Sequence, residues 1–149
     1  MSYCTLAANA GWLKNVTLKT TAANGITAAD LTAAQAAAAA RIDAELAAVY
    51  DVAPWAADTP PIIAHVAELL AAADVLDMKY ERGDTVDGDD ANLPARLRER
   101  AERLIGRLKG DGPPLDVVRA DGSVQPRRAL VGRALPTGSS EESRFSGAI

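Results

Sequence analysis

Apolar side chains recur at helical spacing in three parts of the chain, and the longest of these runs lies in the middle. From Asp58 to Arg82 the apolar positions repeat every three or four residues, which is typical of one face of an α-helix. Thr59 is placed to cap this helix, and the two prolines that follow suit its first turn because they lack amide hydrogens. Ile63 and Val75 widen the apolar face, so we expect a central helix with neighbours on more than one side.

A second helical run precedes the central one. Asp30 stands three residues after Thr27 and offers a weak capping box, while Thr32 and Gln35 offer a second start further along. The alanine-rich sequence that follows has very high intrinsic helix propensity, and its apolar positions form one stripe. We therefore predict a helix from Thr27 to about Tyr50, with small residues that let another backbone come close.

A third run follows the central helix, which we expect to end near Gly83. It begins near Leu93 and ends at Lys109, where a cluster of glycine and proline begins. Apolar residues form one stripe along it, and arginines occupy most of the remainder. Thr5 is placed to cap a shorter helix over residues 5–13. The fold class predicted is mainly α, a small bundle of about four helices.

The pattern changes after residue 112, so we predict a helical domain over residues 1–112 and an extended C-terminal arm over residues 113–149. Within the arm, Leu115–Arg119 and Val124–Leu130 flank an Asp-Gly turn signal, which is compatible with a β-hairpin. Because an isolated hairpin is marginal in water, we expect the arm to lie against something else.

Charge is unevenly distributed along a chain of net charge −4. Residues 1–92 hold five Lys/Arg against thirteen Asp/Glu, a balance of −8, whereas residues 93–109 hold six against two, a balance of +4. One interpretation is compensation within the molecule together with solvated helix faces. The other is a self-complementary surface for head-to-tail assembly.

No pattern in the sequence indicates catalysis, a cofactor or a metal. His65 is the only histidine and Cys4 the only cysteine, too few and too far apart for a metal site. The acidic segment after Gly83 does not match a calcium-binding loop, because Ala91 and Leu93 occupy ligand positions. We predict no enzyme, no membrane span and no signal peptide, and the cysteine usage favours a cytosolic chain.

The arm contains the remaining candidate site, a cluster of arginines interleaved with apolar residues. The simplest interpretation is a charged, flexible terminus. A peptide arm that adds to a partner is the first alternative, and a contact with nucleic-acid phosphates is the second. The residues of this cluster are Arg127, Arg128, Leu130, Val131 and Arg133.

The order of these parts resembles that of a known group of proteins. A Tyr-Cys-Thr-Leu opening is followed by IDAELAAVYDVAP, LLAAADVLDMKYERG, an acidic gap and LPARLRERAERLIGRLKGD. This resembles the head–tail adaptor (connector, or head-completion) proteins of tailed bacteriophages, including a Mu-like family of unknown function. The resemblance covers roughly residues 1–112 and rests on helix order and apolar positions.

The resemblance implies a structural virion protein made in the host cytoplasm. Such adaptors form a ring, typically of twelve copies, beneath the portal and bridge it to the next neck or tail component. They also line the channel through which DNA leaves, and they do not bind that DNA sequence-specifically. Their C-terminal arms commonly embrace the portal, a role that falls here on the arm cluster. The subunit interface expected in such a ring comprises Ile63, Val75, Met78, Arg96, Arg100 and Arg103.

Two other functions fit the same pattern. One is a small DNA-binding regulator that uses the arginine-rich helix 93–109. Against it, two glutamates lie among the arginines of that helix, and no helix-turn-helix spacing is evident. The other is a small cellular interaction domain that merely shares the helix order.

Overall fold

Three α-helices form a bundle in the computed structural model, which describes residues 1–83 and 91–110. They are α1 (Ala28–Leu46), α2 (Pro61–Glu81) and α3 (Leu93–Lys109), and short 3₁₀ turns occur at Gly11–Leu13, Ala22–Asn24 and Ala53–Ala56. The helix α2 packs against both α1 and α3, which touch each other only slightly. The predicted helical class is confirmed, with three α-helices and no strand in these ranges. The acidic segment, the hairpin and the arm lie outside them.

The central helix α2 is enclosed on every side. Ten of its residues are buried, and at 100° per residue they are spread around its whole circumference. The helices α1 and α3 cover two sides. Residues 1–27, here called the N-terminal segment, cover a third. There the turn Gly11–Leu13 contacts α2, and the Lys79 ammonium donates to the carbonyl of Asn15 at 2.9 Å. The prediction of neighbours on more than one side is confirmed.

The helix α1 begins where the sequence predicts, but it ends earlier than predicted. The Asp30 amide donates to the Thr27 hydroxyl oxygen at 3.3 Å, and the Thr27 amide donates to the Asp30 carboxylate at 2.8 Å, which completes the capping box. The helix ends at Leu46, four residues before Tyr50, because tighter turns follow. These turns bury Tyr50, whose hydroxyl donates to the carbonyl of Leu108 at 2.7 Å, in the last turn of α3.

The start of α2 differs from the prediction in one contact. Thr59 does not cap the helix, because its hydroxyl donates to the Trp55 carbonyl at 2.7 Å and closes the preceding turn. Pro60 occupies the capping position without a side-chain hydrogen bond. At the other end α2 stops at Glu81, and Gly83 follows with φ of +88°, a left-handed conformation that favours glycine. The predicted end near Gly83 is confirmed.

The helix predicted over residues 5–13 is wrong, since only Gly11–Leu13 is helical, as one 3₁₀ turn. Asn9 and Gly11 adopt positive φ angles of 60° and 52°, which interrupt a right-handed helix. The Asn9 amide donates instead to the carbonyls of Leu13 at 3.0 Å and Val16 at 3.1 Å. This loop buries Leu13 and Val16 in the core, so tertiary packing decides the local conformation.

Aromatic side chains close the end of the bundle where α1 meets α2. Trp55 is fully buried between Tyr3 and Tyr50, with ring centroids 6.1 and 6.0 Å away. The Tyr3 hydroxyl donates to the Asp43 carboxylate of α1, and burial together with this contact raises the pKa of Tyr3. The N-terminal segment is therefore anchored at both ends of the bundle, here and at Lys79.

The helix α3 has the bounds and the apolar stripe that the sequence predicts. Its buried stripe comprises Leu97, Ala101, Ile105 and Leu108, with Leu93 and Leu104 partly buried beside it. None of the helices in the described ranges is long and apolar enough to cross a membrane.

Candidate interaction surface on α3

Four arginines form a row along the outside of α3. Arg96, Arg100, Arg103 and Arg107 follow the spacing i, i+4, i+7, i+11, so at 100° per residue they lie within a sector of about 60°. All four side chains are exposed. The row extends about 16 Å along the helix axis, since each residue adds about 1.5 Å. We call this set the arginine row.

The arginine row has few partners in the described part of the chain. Arg103 pairs with Glu99 one turn earlier, but the two side chains are 71% and 61% exposed, so the pair adds little stability. Arg96, Arg100 and Arg107 make no hydrogen bond or ion pair with any described residue. Three guanidinium groups are therefore available to a binding partner.

Arg98 lies on the other flank of α3 and is used within the chain. Its guanidinium donates to the Asp74 carboxylate at 2.8 Å and also pairs with Asp77, both on α2. The hydrogen bond to Asp74 is the largest of the effects that raise the pKa of Arg98. The side chains of these three residues are only about one-third exposed. Arg98 thus fastens α3 to the central helix.

The same flank of α3 also reaches α1. Arg41 donates to the Glu102 carboxylate at 2.9 Å, and Lys109 pairs with Glu45. The Lys109 ammonium holds the pKa of the Glu45 carboxyl below its usual range. Because α1 and α3 make few other contacts, these two pairs span a shallow groove with Ile105 among its lining residues. The charges on this flank are therefore paired within the chain.

The apolar half of the predicted subunit interface lies mostly inside the chain. Ile63 and Val75 are both 0% exposed, so neither side chain is presented to a neighbouring molecule. Packing of α2 against the rest of its own chain accounts for them, which corrects the expectation that they form a subunit contact. Met78 is partly buried and packs against the same core.

The basic half of that interface is brought together at the surface. Arg96, Arg100 and Arg103 all belong to the arginine row. Sequence reasoning missed Arg107, although its spacing from Arg103 repeats the interval from Arg96 to Arg100. A search for equal side-chain direction along the helix would have found it. The predicted arm contacts lie outside the described residues and stay predictions.

A basic cleft of about 280 Å³ lies between the N-terminal segment and the end of α2, lined in part by Lys19, Lys79 and Arg82. Two of these cations, Lys79 and Arg82, already have structural partners. The Arg82 guanidinium donates to the Gly25 carbonyl at 2.7 Å and to both Asp30 carboxylate oxygens, at 2.7 and 3.1 Å. The hydrogen bonds from Arg82, with smaller contributions from Thr27, lower the pKa of the Asp30 carboxyl. Cations here also complement the negative end of the α2 dipole, so the cleft serves to hold the N-terminal segment.

Neither Cys4 nor His65 belongs to a reactive site in the described ranges, either as a pair or together with acidic side chains. Burial, with a smaller contribution from Glu68, raises the pKa of the half-buried Cys4 thiol to about 11. The thiol is therefore protonated at neutral pH and a weak nucleophile. His65 is half-buried on α2. No group of three or more His, Cys, Asp or Glu in the described ranges is arranged to hold a metal ion.

Comparison of the chain with family models, with curated proteins and with solved structures gives no match.

Proposed function

We propose that this chain is a structural adaptor of a tailed-bacteriophage neck. In this role it assembles as a homo-oligomeric ring of about twelve copies, joins the portal to the next neck or tail component, and lines the DNA exit channel. The observation that supports this best is the division of the bundle surface. One flank of α3 forms ion pairs within the chain, whereas the arginine row is exposed and has three arginines without described partners.

The enclosed core supports a protein that folds before it assembles. The buried residues of α2 are covered by other parts of the same chain, so the bundle does not need a neighbouring subunit to complete it. A ring built from such units closes on a template, with the portal as the expected template. We expect the isolated chain to be a monomer or a weak oligomer, and the C-terminal arm to provide the portal contact.

The test is co-assembly with the portal, using a chain that ends at residue 112. Because the three helices lie before that point, the truncated chain should keep nearly all of its helical circular-dichroism signal. It should fail to co-purify with portal rings, whereas the full chain should bind them in a fixed ratio. The matched control is a full-length chain with Arg127, Arg128 and Arg133 replaced by glutamine, which keeps the length of the arm.

Co-purification of the truncated chain with portal rings in the same ratio as the full chain would exclude the arm as the portal contact. Failure of the full chain to bind portal under any salt condition would exclude the adaptor function itself. Loss of binding in the control as well as in the truncation would place the contact on the arm arginines.

A DNA-binding regulator that uses residues 93–109 is the runner-up. A regulator must read base edges, and a line of exposed arginines suits phosphates better than bases. A sequence-specific footprint on duplex DNA would favour it over the adaptor.

A further inference from the structure

We propose that the arginine row of α3 binds the phosphate backbone of duplex nucleic acid without regard to base sequence. The row and the one acidic side chain that pairs with it among the described residues, Glu99, sum to a charge of +3 on a chain of net charge −4. Positive charge is thus concentrated along one edge of α3 in a chain of negative net charge, and a polyanion would be drawn to that edge.

The geometry of the row matches a line of phosphates. Duplex DNA carries one negative charge per about 1.7 Å of its axis, so about 16 Å of duplex carries roughly ten phosphate charges on its two strands, more than the row can contact. Guanidinium groups form paired hydrogen bonds with phosphate oxygens and are weakly hydrated compared with ammonium groups. Arg96, Arg100 and Arg107 can make such contacts without giving up any described partner within the chain.

The surface suits a nucleic acid better than an acidic protein. The centre of a protein–protein interface contains apolar or aromatic anchors, even where arginines lie beside them. The sector occupied by the arginine row contains only arginine. The nearest apolar residues on its core side, Leu93 and Leu104, are partly buried and pack against this chain's own core. A charge-only surface without an anchor fits backbone contacts to a polyanion.

Binding of this kind is weak and strongly dependent on salt. The other cations of α3, Arg98 and Lys109, are held by carboxylates of α2 and α1, so on this helix the arginine row is the part that offers unpaired positive charge to a duplex. Such a contact lets DNA slide past. The placement of the row on the channel wall of a ring rests on the proposed function, whereas DNA binding by the isolated chain does not.

The experiment is fluorescence anisotropy of a labelled 20-base-pair duplex with the full-length chain, from 50 to 200 mM NaCl. The row variant is Arg96→Gln/Arg100→Gln/Arg107→Gln, which leaves the Arg103–Glu99 pair in place. The matched control is Arg127→Gln/Arg128→Gln/Arg133→Gln, which removes the same charge from the arm. Glutamine keeps helix propensity, so both variants should retain the circular-dichroism signal of the parent chain.

The unmodified chain should lose roughly 40-fold in affinity across this salt range, since three phosphate contacts give a log–log slope of about −2.7. The row variant should bind at least 10-fold more weakly at 50 mM NaCl, with a slope shallower by about 2.7. The arm variant should stay within about threefold of the parent. Two duplexes of unrelated sequence should bind equally, because phosphate contacts carry no sequence information.

Three outcomes would overturn the inference. The first is no binding of the duplex by the parent chain at 50 mM NaCl. The second is an equal loss in both variants, which would show that net charge alone matters. The third is binding of polyglutamate of similar length as tightly as the duplex, which would assign the row to an acidic protein. Portal co-assembly is measured separately, so its failure would not be confused with any of these.

Discussion

The helices α2 and α3 are neighbours in the chain, yet the bundle uses their surfaces very differently. The helix α2 has buried residues on all of its sides, and its polar side chains such as Lys79 and Asp74 form hydrogen bonds with other segments. By contrast, α3 contributes one apolar stripe and one ion-paired flank, and it leaves the arginine row to solvent. The difference separates residues that hold the fold from residues available to partners.

The largest expected effect is at the centre of α2. Ile63→Ala should lower the free energy of unfolding by about 2–5 kcal/mol, because it leaves a cavity at a fully buried site. Ile62→Ala makes the same chemical change one residue earlier, at a half-buried site, and should cost clearly less. Urea unfolding of the isolated chain measures both. Equal and small costs would mean that Ile63 is not enclosed within one chain.

A smaller effect is expected where Arg82, at the end of α2, meets the start of α1. Asp30→Asn should cost about 1 kcal/mol at pH 7, since it weakens both the capping box and the pair with Arg82. The folded state lowers the pKa of Asp30. Its contribution is therefore complete well above pH 4 and declines as the pH falls through about 4, the ordinary aspartate value, towards the lower folded value.

The difference in stability between the parent chain and Asp30→Asn should accordingly shrink on acidification. Asp58→Asn, at an exposed carboxylate without a described ion pair, is the control and should change stability little at any pH. A pH-independent difference for Asp30→Asn would contradict the assigned cause.

The smallest stability effect compares the two flanks of α3. Arg98→Gln should destabilise the bundle by about 0.5–1 kcal/mol, because it leaves Asp74 and Asp77 without their shared cation at a partly exposed site. Arg96→Gln makes the same substitution two residues earlier, in the arginine row, and should leave thermal unfolding unchanged within error. Equal losses would show that the row also serves the fold.

Features fixed by neighbouring residues could be predicted from the sequence. The capping box of Thr27 and Asp30 and the termination of α3 at Gly110 depend on residues within one turn, and both predictions are correct. Features decided by distant contacts could not. Thr59 bonds to Trp55 instead of the helix start, and Tyr50 leaves the helical path to reach Leu108.

The candidate site likewise has features that the sequence predicts and features that depend on distant contacts. The arginine row follows from spacing along one helix, and three of its four members belong to the predicted subunit interface, whereas Arg107 was overlooked. The burial of Ile63 and Val75 depends on what covers α2, including an N-terminal segment whose irregular path has no periodic signal. An apolar residue beyond the first stripe looks the same in sequence whether its own chain or another subunit covers it.

The most direct test of the division between structural and available charges is the NMR spectrum of the arginine side-chain Nε–H groups during titration with duplex DNA. The signals of Arg96, Arg100 and Arg107 should shift, while that of Arg98, held by Asp74 and Asp77, should stay in place. Equal shifts at Arg98, or shifts confined to the arginines after residue 112, would contradict the account.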